Sequence, residues 1–408
     1  MGKGVVHHVK PFSGDRQECG AIRERKPLLS ELAPEGRAFT KGLGRGDRSI
    51  PQVVLTDAEA GAAEFAGSDS RSYNYFEPKK RRATKYEDVT LDVQPDPERY
   101  LTQSWILGWA NGDLGYDPNW TKIQSSDWHA FRDPNEEWEK TIYINNANSV
   151  RQVTNAIENA QSENVFQYWN KGWLPIIANH VSAWAHADYG LGMYVFLPAQ
   201  RAAPTNMHNN AIAVNCMHKL RTSQDIMLYN MELMEVFGDE FDGEAHKETW
   251  LEDPSWQGVR ENVERLMNAK DWAETTFASN IVFEPLVGEL LRSQFVARFA
   301  PPHGDYLTPS VISVSQAEFT ERDLRYTRDM LTEFLEDETH GEENKQLMEE
   351  WLEEWVPYSM QAAKGLEPNW SEPEVQPVSF DDSFEQVKSR FEGILSDLGL
   401  RVPEGATR

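Results

Sequence analysis

A long apolar stretch, residues 173–237, constrains the fold of this chain more than any other feature. It is rich in Ala, Met, Leu and aromatic residues and is interrupted only near Pro198–Pro204. An apolar face that persists over so many turns predicts two long, heavily buried helices. A second pair follows at Asn268–Phe299 and Pro309–Glu336, separated by the turn PPHGD. Strand-like alternation is scarce, so the sequence predicts an all-α protein with four long helices in a central bundle.

Three further helices are predicted around this bundle. The segment Glu136–Gln161 opens after Asp133 and a proline suited to a first helical turn. Its apolar stripe comprises Trp138, Ile142, Ile144, Val150, Val153 and Ile157. The segment NKQLMEEWLEEWVPYSMQAAKG is amphipathic, and its acidic part, Glu343–Glu354, predicts a solvated outer face. A Pro-rich connector, EPNWSEPEVQPVSF, leads to a last helix in SFEQVKSRFEGILSDLGL.

The first 95 residues differ from the rest of the chain. Gly, Pro, Arg and Lys are frequent there, and the only apolar clusters are short, as in PQVVL and YNYF. Such a segment cannot cover a core of its own, so it predicts either a disordered tail or an extended, largely irregular arm. The short apolar clusters favour an arm that docks on partner subunits. We therefore divide the chain into this arm at 1–95, a helical domain at 96–365, and a connector with a C-terminal helix at 366–408.

The charge balance and the cysteines exclude several classes of protein. The chain carries 66 acidic and 40 basic residues, a net charge of -26, whereas nucleic-acid binding requires clustered cations. No run of about 18 apolar residues is available to span a membrane. Cys19 and Cys216 belong to no CxxC pattern, which argues against a disulfide framework or a zinc site. With no apolar signal core near the N-terminus, these features predict a soluble cytoplasmic protein.

The metal-binding motif of many helical bundles is absent from this sequence. Diiron carboxylate proteins place Glu-x-x-His pairs on two helices and one Glu on each of two others. Residues i and i+3 share a helix face, so carboxylate and imidazole can bind one metal together. No histidine here follows a Glu by three positions, and only His340 has a carboxylate there, Asp337 in EDETHGEEN. A four-helix core without metal ligands is the most informative combination in the chain.

Four segments carry a resemblance to a known family: WANGDLGYDPNW (109–120), HAFRDPNEEWEKTIY (129–143), HADYGLGMYVFLPAQRAA (186–203) and HKLRTSQDIMLYNMEL (218–233). Through them the stretch from about Trp105 to Met360 resembles the small (β) hydroxylase subunit of soluble diiron monooxygenases. This group includes methane, toluene, phenol, tetrahydrofuran and propane monooxygenases. The chain is most similar to the propane or tetrahydrofuran type.

The resemblance implies a ferritin-like, ribonucleotide-reductase-like bundle in both hydroxylase subunits, with iron only in the α subunit. It places Lys219-Leu220-Arg221-Thr222 and Asp323-Leu324-Arg325-Tyr326 where the α subunit has its Glu-x-x-His motifs. The two other ligand positions fall near Tyr189 and Ser279. Lysine would repel a metal cation, and Thr and Tyr are poor iron ligands beside imidazole. We therefore expect no catalytic, cofactor-binding or metal-binding residue here, and an internal Lys219–Asp323 ion pair unless Lys219 points outward.

By the same resemblance, the chain would be the non-catalytic, structural β subunit of an (αβ)₂ hydroxylase. The complex would use NADH and O₂ to hydroxylate a small hydrocarbon at a diiron centre in the α subunit. Propane, oxidised to 2-propanol, is the preferred substrate, with tetrahydrofuran, phenol and acetone as alternatives. A separate reductase would carry FAD and a 2Fe–2S cluster, and a small coupling protein would also bind the hydroxylase.

Two other interpretations remain open. The first is a self-sufficient diiron enzyme with unusual ligands, such as Asp323 and His186. The second is a standalone binding protein that uses the tryptophan-rich region from Trp105 to Trp184 as an aromatic platform. Neither a phosphate-cradling GxxxxGK[ST] or GxGxxG loop nor a GxSxG nucleophile motif is present. NADH would therefore bind another polypeptide, and a hydrolase is disfavoured.

The abundant tryptophans and methionines are predicted to be structural. The chain contains 14 Trp, which suit a core or an obligate interface because aromatic side chains give large apolar contacts. The central methionines are predicted to fill an irregular core. They are Met193, Met207, Met217, Met227, Met231 and Met234.

Overall fold

The computed structural model describes Pro78, residues 82–91 and residues 118–403. Most of the predicted N-terminal arm therefore lies outside the described residues. The chain divides into two units, Met1–Asp88 and Val89–Arg408. All the long helices belong to the second unit.

Ten helices, labelled in chain order, make up the described part of the protein. They are α1 (Lys85–Thr90), α2 (Glu139–Ser162), α3 (174–202), α4 (Asn206–Phe237), α5 (Ala245–Glu252), α6 (Pro254–Asn268), α7 (272–299), α8 (307–335), α9 (Gly341–Gly365) and α10 (Phe380–Asp397). Short 3₁₀ turns occupy Pro118–Trp120, Val165–Tyr168, Lys171–Trp173, Gly238–Glu240, Pro301–His303 and Glu367–Ser371. The described residues contain no β-strand, which confirms the all-α prediction for this part of the chain. No helix among them is long and apolar enough to span a membrane.

Four long helices, α3, α4, α7 and α8, form the predicted core as two consecutive pairs. Helix α3 packs along α4, and α8 contacts both α4 and α7. Around them, α2 packs on α4 and α8, α6 packs on α9, and both α9 and α10 cover α7. The interior of α7 lies deep in the bundle, since every residue from 278 to 288 is buried.

Helix α3 ends within the break that was predicted near Pro198–Pro204. The helix runs through Pro198 and ends at Ala202, so only the last part of that stretch is non-helical. A wider π-helical turn, Leu191–Phe196, ends two residues before this proline. A proline lacks an N–H and would interrupt the hydrogen-bond pattern of an α-helix. The π-helical turn changes that pattern ahead of the proline. The actual break is at residues 203–205, where the Thr205 hydroxyl accepts the His208 amide and caps α4.

Helix α2 begins three residues later than predicted. Asp133 holds a tight turn, because its carboxylate accepts the Asn135 amide at 2.9 Å and its carbonyl accepts the Glu136 amide at 3.0 Å. Glu136 has a φ of 49°, outside the helical region. The helix then starts at Glu139, after the Thr141 hydroxyl accepts the Trp138 amide at 2.8 Å.

Several apolar residues predicted to be buried are exposed instead. On α2, Ile142, Val153 and Ile157 are buried as predicted, but Ile144 and Val150 are exposed. Of the central methionines, Met207 is buried and Met227 is half-buried. Met193, Met217, Met231 and Met234 are exposed, contrary to the prediction of a methionine-filled core. The spacing of apolar residues identified these helices but assigned part of their outer surface to the interior.

The tryptophans mostly lie inside the protein, as the structural interpretation predicts. Buried members are Trp169, Trp173, Trp184, Trp256, Trp272, Trp351, Trp355 and Trp370. Trp105 and Trp109 lie outside the described residues. The remaining four are half-buried, so none of the described tryptophans forms an open aromatic platform.

The connector after α9 is held against the bundle by two buried histidines. The Glu372 carboxylate lies 2.8 Å from His180 Nε2, and the Trp256 indole N–H donates to His180 Nδ1 at 2.9 Å. The Val375 amide donates to His303 Nε2 at 3.1 Å. These contacts fix the connector, and α10 then packs along α7.

His208 gives the fold a specific pH dependence. Its ring stacks on Phe131 and Phe334, and burial lowers its pKa to about 3, with His129 adding to the effect. In the unfolded chain the His208 imidazole takes up a proton near its ordinary pKa of 6.5, whereas in the folded chain it stays neutral at that pH. Stability is therefore lost as the pH falls below about 6.5, by about 2 kcal/mol at pH ~5 from this residue alone.

Between pH ~7.5 and ~5 we expect the native chain to lose about 2 kcal/mol more of its free energy of unfolding than the variant His208→Phe loses. Phenylalanine keeps the stacking but cannot be protonated. Its lost hydrogen bond to Thr205 shifts stability equally at both pH values. Urea unfolding at the two pH values measures the difference, and identical pH dependence in both proteins would contradict this account of His208.

Candidate functional site at the centre of the bundle

Lys219 lies inside the four-helix core rather than on its surface. Its side chain extends from α4, is only 4% exposed, and binds the Glu284 carboxylate of α7. Asp188 of α3 lies on the other side, with its carboxylate oxygen 3.3 Å from the Lys219 ammonium. One ammonium thus joins three of the four core helices.

Arg292 completes this central charge cluster, which comprises Asp188, Lys219, Glu284 and Arg292. Its guanidinium binds the second carboxylate oxygen of Glu284, and its Nε donates to Gln316 at 2.8 Å. Gly288 leaves space for the Glu284–Arg292 ion pair because it has no Cβ. A Cβ at this position would lie 2.3 Å from a Glu284 oxygen and 2.9 Å from both terminal guanidinium nitrogens.

The central charge cluster contains two cations and two carboxylates, so its formal charges balance. Burial opposes the charge of Glu284 most strongly, but Arg292 and Lys219 outweigh it and lower the pKa of this carboxyl. Burial likewise opposes the charge of Lys219, and Glu284 and Asp188 outweigh it, raising the pKa of the ammonium. For Asp188, burial prevails over the attraction of Lys219 and raises the pKa to about 6. Glu284 is therefore the principal anion of the site.

The predicted Lys219–Asp323 ion pair is wrong, although Lys219 does point inward. Asp323 instead pairs with His218, whose Nδ1 lies 2.8 Å from the carboxylate. His218 and Lys219 are consecutive, and consecutive helical residues point about 100° apart. His218 therefore faces α8, whereas Lys219 faces α3 and α7.

The other positions that the family pattern assigned to metal ligands do not all lie at the centre of the bundle. Thr222 and Tyr326 are buried, and Tyr326 donates to the Asn215 side chain at 2.9 Å. Ser279 is also buried, but it does not reach the central charge cluster through any hydrogen bond of the described residues. Tyr189 is 45% exposed and faces outward.

Sequence reasoning missed three members of the central charge cluster: Asp188, Glu284 and Arg292. A signal for two of them was present, because Glu284 and Arg292 are charges in the almost wholly apolar segment IVFEPLVGELLRSQFV. Charged residues are rarely buried unless they are paired, so opposite charges in such a segment indicate an internal ion pair. For Asp188, the prediction named the neighbouring residue, Tyr189.

A second buried network lies further along α4. Arg221 binds both Asp225, one helical turn away, and Glu318 of α8. The Ser149 hydroxyl of α2 donates to the same Glu318 carboxylate at 3.0 Å. This network ties α2, α4 and α8 together.

The residues at the centre do not fit a diiron site. The described residues contain no group of three His, Cys, Asp or Glu side chains that could hold a metal ion. An ammonium and a guanidinium lie against the central carboxylates, where they would repel a metal cation. Nor do Asp323 and His186 come together as alternative ligands, because His186 Nε2 lies 2.8 Å from His246 Nδ1 and Asp323 pairs with His218.

We expect Glu284→Gln to destabilise the protein by about 3–5 kcal/mol, because it leaves two buried cations with one carboxylate. The matched control is Glu289→Gln on the same helix. Glu289 is also buried, but its partner Arg390 is 42% exposed, so its replacement leaves no cation without solvent and should cost less than the replacement of Glu284. Equal losses in the two variants, measured by urea unfolding, would contradict a central role for Glu284.

Comparisons with known proteins agree with this architecture. A sequence model described as Methane/Phenol/Alkene Hydroxylase matches residues 105–338. The small subunit of the propane 2-monooxygenase hydroxylase component from Gordonia sp. (strain TY-5) is 49% identical, covering 88% of this chain and 97% of that protein. The β chain of methane monooxygenase component A from Methylosinus trichosporium is 24% identical, covering 76% and 82%.

The fold also matches a solved structure. A chain of phenol hydroxylase from Pseudomonas sp. OX1 superposes with a TM-score of 0.66 at 18% identity, covering 78% of this chain and 91% of that one. This match bears out the predicted helical-bundle fold. The extent of the sequence match and the identity to small subunits together determine the family. The chain belongs to the methane/phenol/alkene hydroxylase family, as a small hydroxylase subunit of a multicomponent monooxygenase.

Proposed function

We propose that this chain is a structural subunit without catalytic, cofactor-binding or metal-binding residues of its own, which braces an α subunit that holds the diiron centre. One observation carries the proposal: the central charge cluster fills the centre of the four-helix core with internal ion pairs. Two carboxylates that are already neutralised by Lys219 and Arg292 have no charge left for iron.

An exposed apolar surface on α3 and α4 supports assembly with a partner. We call it the α3–α4 apolar surface. It comprises Tyr189, Met193, Tyr194, Leu197, Met217, Leu228, Met231 and Met234, all more than a third exposed. Exposed apolar patches on otherwise charged proteins mark interaction sites, and aromatic residues and Met are enriched at interfaces. We infer that this surface packs against the α subunit in an (αβ)₂ assembly.

The remaining components of the system are proposed from the relatives. The name "hydroxylase component" on the 49%-identical relative indicates that its system has further components. We propose an NADH-dependent reductase with FAD and a 2Fe–2S cluster, and a small coupling protein, each on its own polypeptide. The cytoplasm, where NADH is available, is the proposed location.

Propane is the proposed substrate of the complex. Four relatives at 48–49% identity are all named propane 2-monooxygenase small subunits. The methane and toluene relatives are only 24–25% identical. Propane-dependent NADH oxidation by the reconstituted system tests this proposal, and activity on tetrahydrofuran, phenol or acetone but not on propane would contradict it.

We expect the double variant Leu228→Glu/Met231→Glu to weaken binding to the α subunit at least tenfold, since two charges would have to lose their water at the interface. Co-purification with a tagged α subunit, followed by titration, measures the loss. Gln346→Glu, on the polar face of α9, is the matched control and should bind normally. Unchanged affinity in the double variant, with native helicity, would refute this interface.

We also expect that replacing any histidine of this chain, for example His218→Gln or His186→Gln, leaves the iron content of the assembled hydroxylase unchanged. Neither side chain belongs to a metal-binding group in the described residues. Iron is measured by elemental analysis on complexes of confirmed subunit ratio. Loss of iron from a complex that still assembles would contradict the proposal.

A further inference from the structure

The exposed methionines of the described residues are concentrated on one surface. All four belong to the α3–α4 apolar surface, with exposures from 37% at Met193 to 63% at Met231. The other two are Met217 and Met234. The methionines that are buried or half-buried are Met207, Met227, Met267, Met330, Met348 and Met360. The accessible thioethers of this part of the chain therefore lie where we propose that the α subunit docks.

Two of the exposed methionines lie on neighbouring turns of adjacent helices. The Cys216 thiol of α4 donates to the Gly192 carbonyl of α3 at 3.2 Å. Met193 and Met217 immediately follow these two residues in sequence. The other two exposed methionines lie further along α4, so that the exposed thioethers extend over about 25 Å of this helix.

An exposed thioether can undergo a two-electron oxidation. The sulfur attacks one oxygen of a hydroperoxide, so an S–O bond forms and the O–O bond breaks. The second oxygen keeps the proton and leaves as water or an alcohol, and the product is methionine sulfoxide. The sulfoxide oxygen is a polar acceptor on a side chain that was apolar, and its burial without a hydrogen-bond donor is unfavourable.

The neighbouring thiol is not the reactive sulfur of this surface. Cys216 is buried, and burial raises the pKa of its thiol to about 11. It therefore stays protonated at neutral pH, whereas the thiolate is the form that reacts with oxidants. The thioether of Met217, the next residue, is 39% exposed and needs no deprotonation to react.

We infer that Met193, Met217, Met231 and Met234 form an oxidation site that controls assembly. Hydroperoxides convert these side chains to sulfoxides in the unassembled chain, and the oxidised chain docks poorly on the α subunit. In the assembled hydroxylase the same side chains are covered and therefore protected. The inference rests on the proposed function, because it takes the α3–α4 apolar surface as the interface with the α subunit.

The first measurement follows the oxidation of each methionine by peptide mass spectrometry. Hydrogen peroxide is added to the full chain, alone and assembled with the α subunit, and each rate is taken relative to a methionine peptide in the same solution. Cys19→Ser in every protein removes the thiol that lies outside the described residues. In the free chain the four exposed methionines should oxidise at least tenfold faster than the buried Met207, Met330, Met348 and Met360. Assembly should slow the four at least tenfold.

The second measurement compares the affinity for the α subunit before and after peroxide treatment of the free chain. The native chain should bind at least tenfold more weakly after treatment, and methionine sulfoxide reductases of both stereospecificities with dithiothreitol should restore the affinity. In the quadruple variant Met193→Leu/Met217→Leu/Met231→Leu/Met234→Leu, peroxide should leave the affinity unchanged, because leucine has no sulfur. The matched control, Met227→Leu/Met267→Leu, replaces two half-buried methionines and should stay as sensitive as the native chain.

Should the chain be insoluble alone, the assembled hydroxylase is diluted until it dissociates, treated with peroxide and concentrated again. The native complex should then reassemble at least tenfold less well than the quadruple leucine variant relative to untreated samples. Equal recovery of the two complexes would contradict the inference.

The outcomes distinguish this inference from the proposed function. Unchanged affinity of the oxidised native chain, equal peroxide sensitivity of the quadruple variant, or equal oxidation of exposed and buried methionines would overturn the inference alone. The interface itself would still be supported if Leu228→Glu/Met231→Glu loses binding. Oxidation of the four methionines at the same rate in the free and assembled chains would instead contradict the proposed interface, because the α subunit would then leave this surface uncovered.

Discussion

The double ion pair of Glu284 with Lys219 and Arg292 is the interaction on which the rest of the core depends. Three charges with almost no solvent exposure meet at this point, and each would be costly to bury alone. Apolar cores of the same volume are often at least as stable as buried ion pairs, so we infer that the cluster contributes mainly to specificity. Lys219 can contact α3 and α7 together only if the core helices keep their register. The charges therefore select one packing among the many that an apolar bundle would allow.

Wide helical turns explain why the side chains meet where they do. Glu284 lies in the π-helical segment Ala278–Gly288, Arg292 in Leu290–Val296, and Asp323 in Phe319–Asp323. Each π turn holds more residues than an α turn and so redirects the side chains that follow it. Regular α-helical spacing therefore cannot predict which side chains of α7 and α8 reach the centre.

The sequence predicts the helices and the character of the centre but not its partners. Persistent apolar spacing identified the four core helices. The missing Glu-x-x-His motifs led us to expect a centre without metal ligands, and this stays a prediction. The predicted ligand positions were Tyr189 and Ser279, whereas the residues that lie in the cluster are Asp188 and Glu284. The difference arises because a one-residue shift or a π turn changes which face of a helix a side chain occupies. The outward-facing Met231 could not be distinguished from a core residue, since its spacing fits either environment and only the packing of its neighbours decides.

The subunit thus combines a buried charge cluster, set in a mainly apolar core, with a group of exposed apolar side chains on α3 and α4. The buried charges and the exposed apolar side chains are related, because both depend on which side chains of a helix face its neighbours. In α4, Lys219 and Arg221 turn their charges toward neighbouring helices, whereas Met217, Leu228 and Met231 are left on the outside. The middle of α4, from His218 to Asp225, buries mainly polar side chains and so gains less from apolar burial within its own chain than the rest of the helix does. Packing of this outer face against the α subunit, as proposed above, would supply that contribution and would couple folding of the chain to assembly.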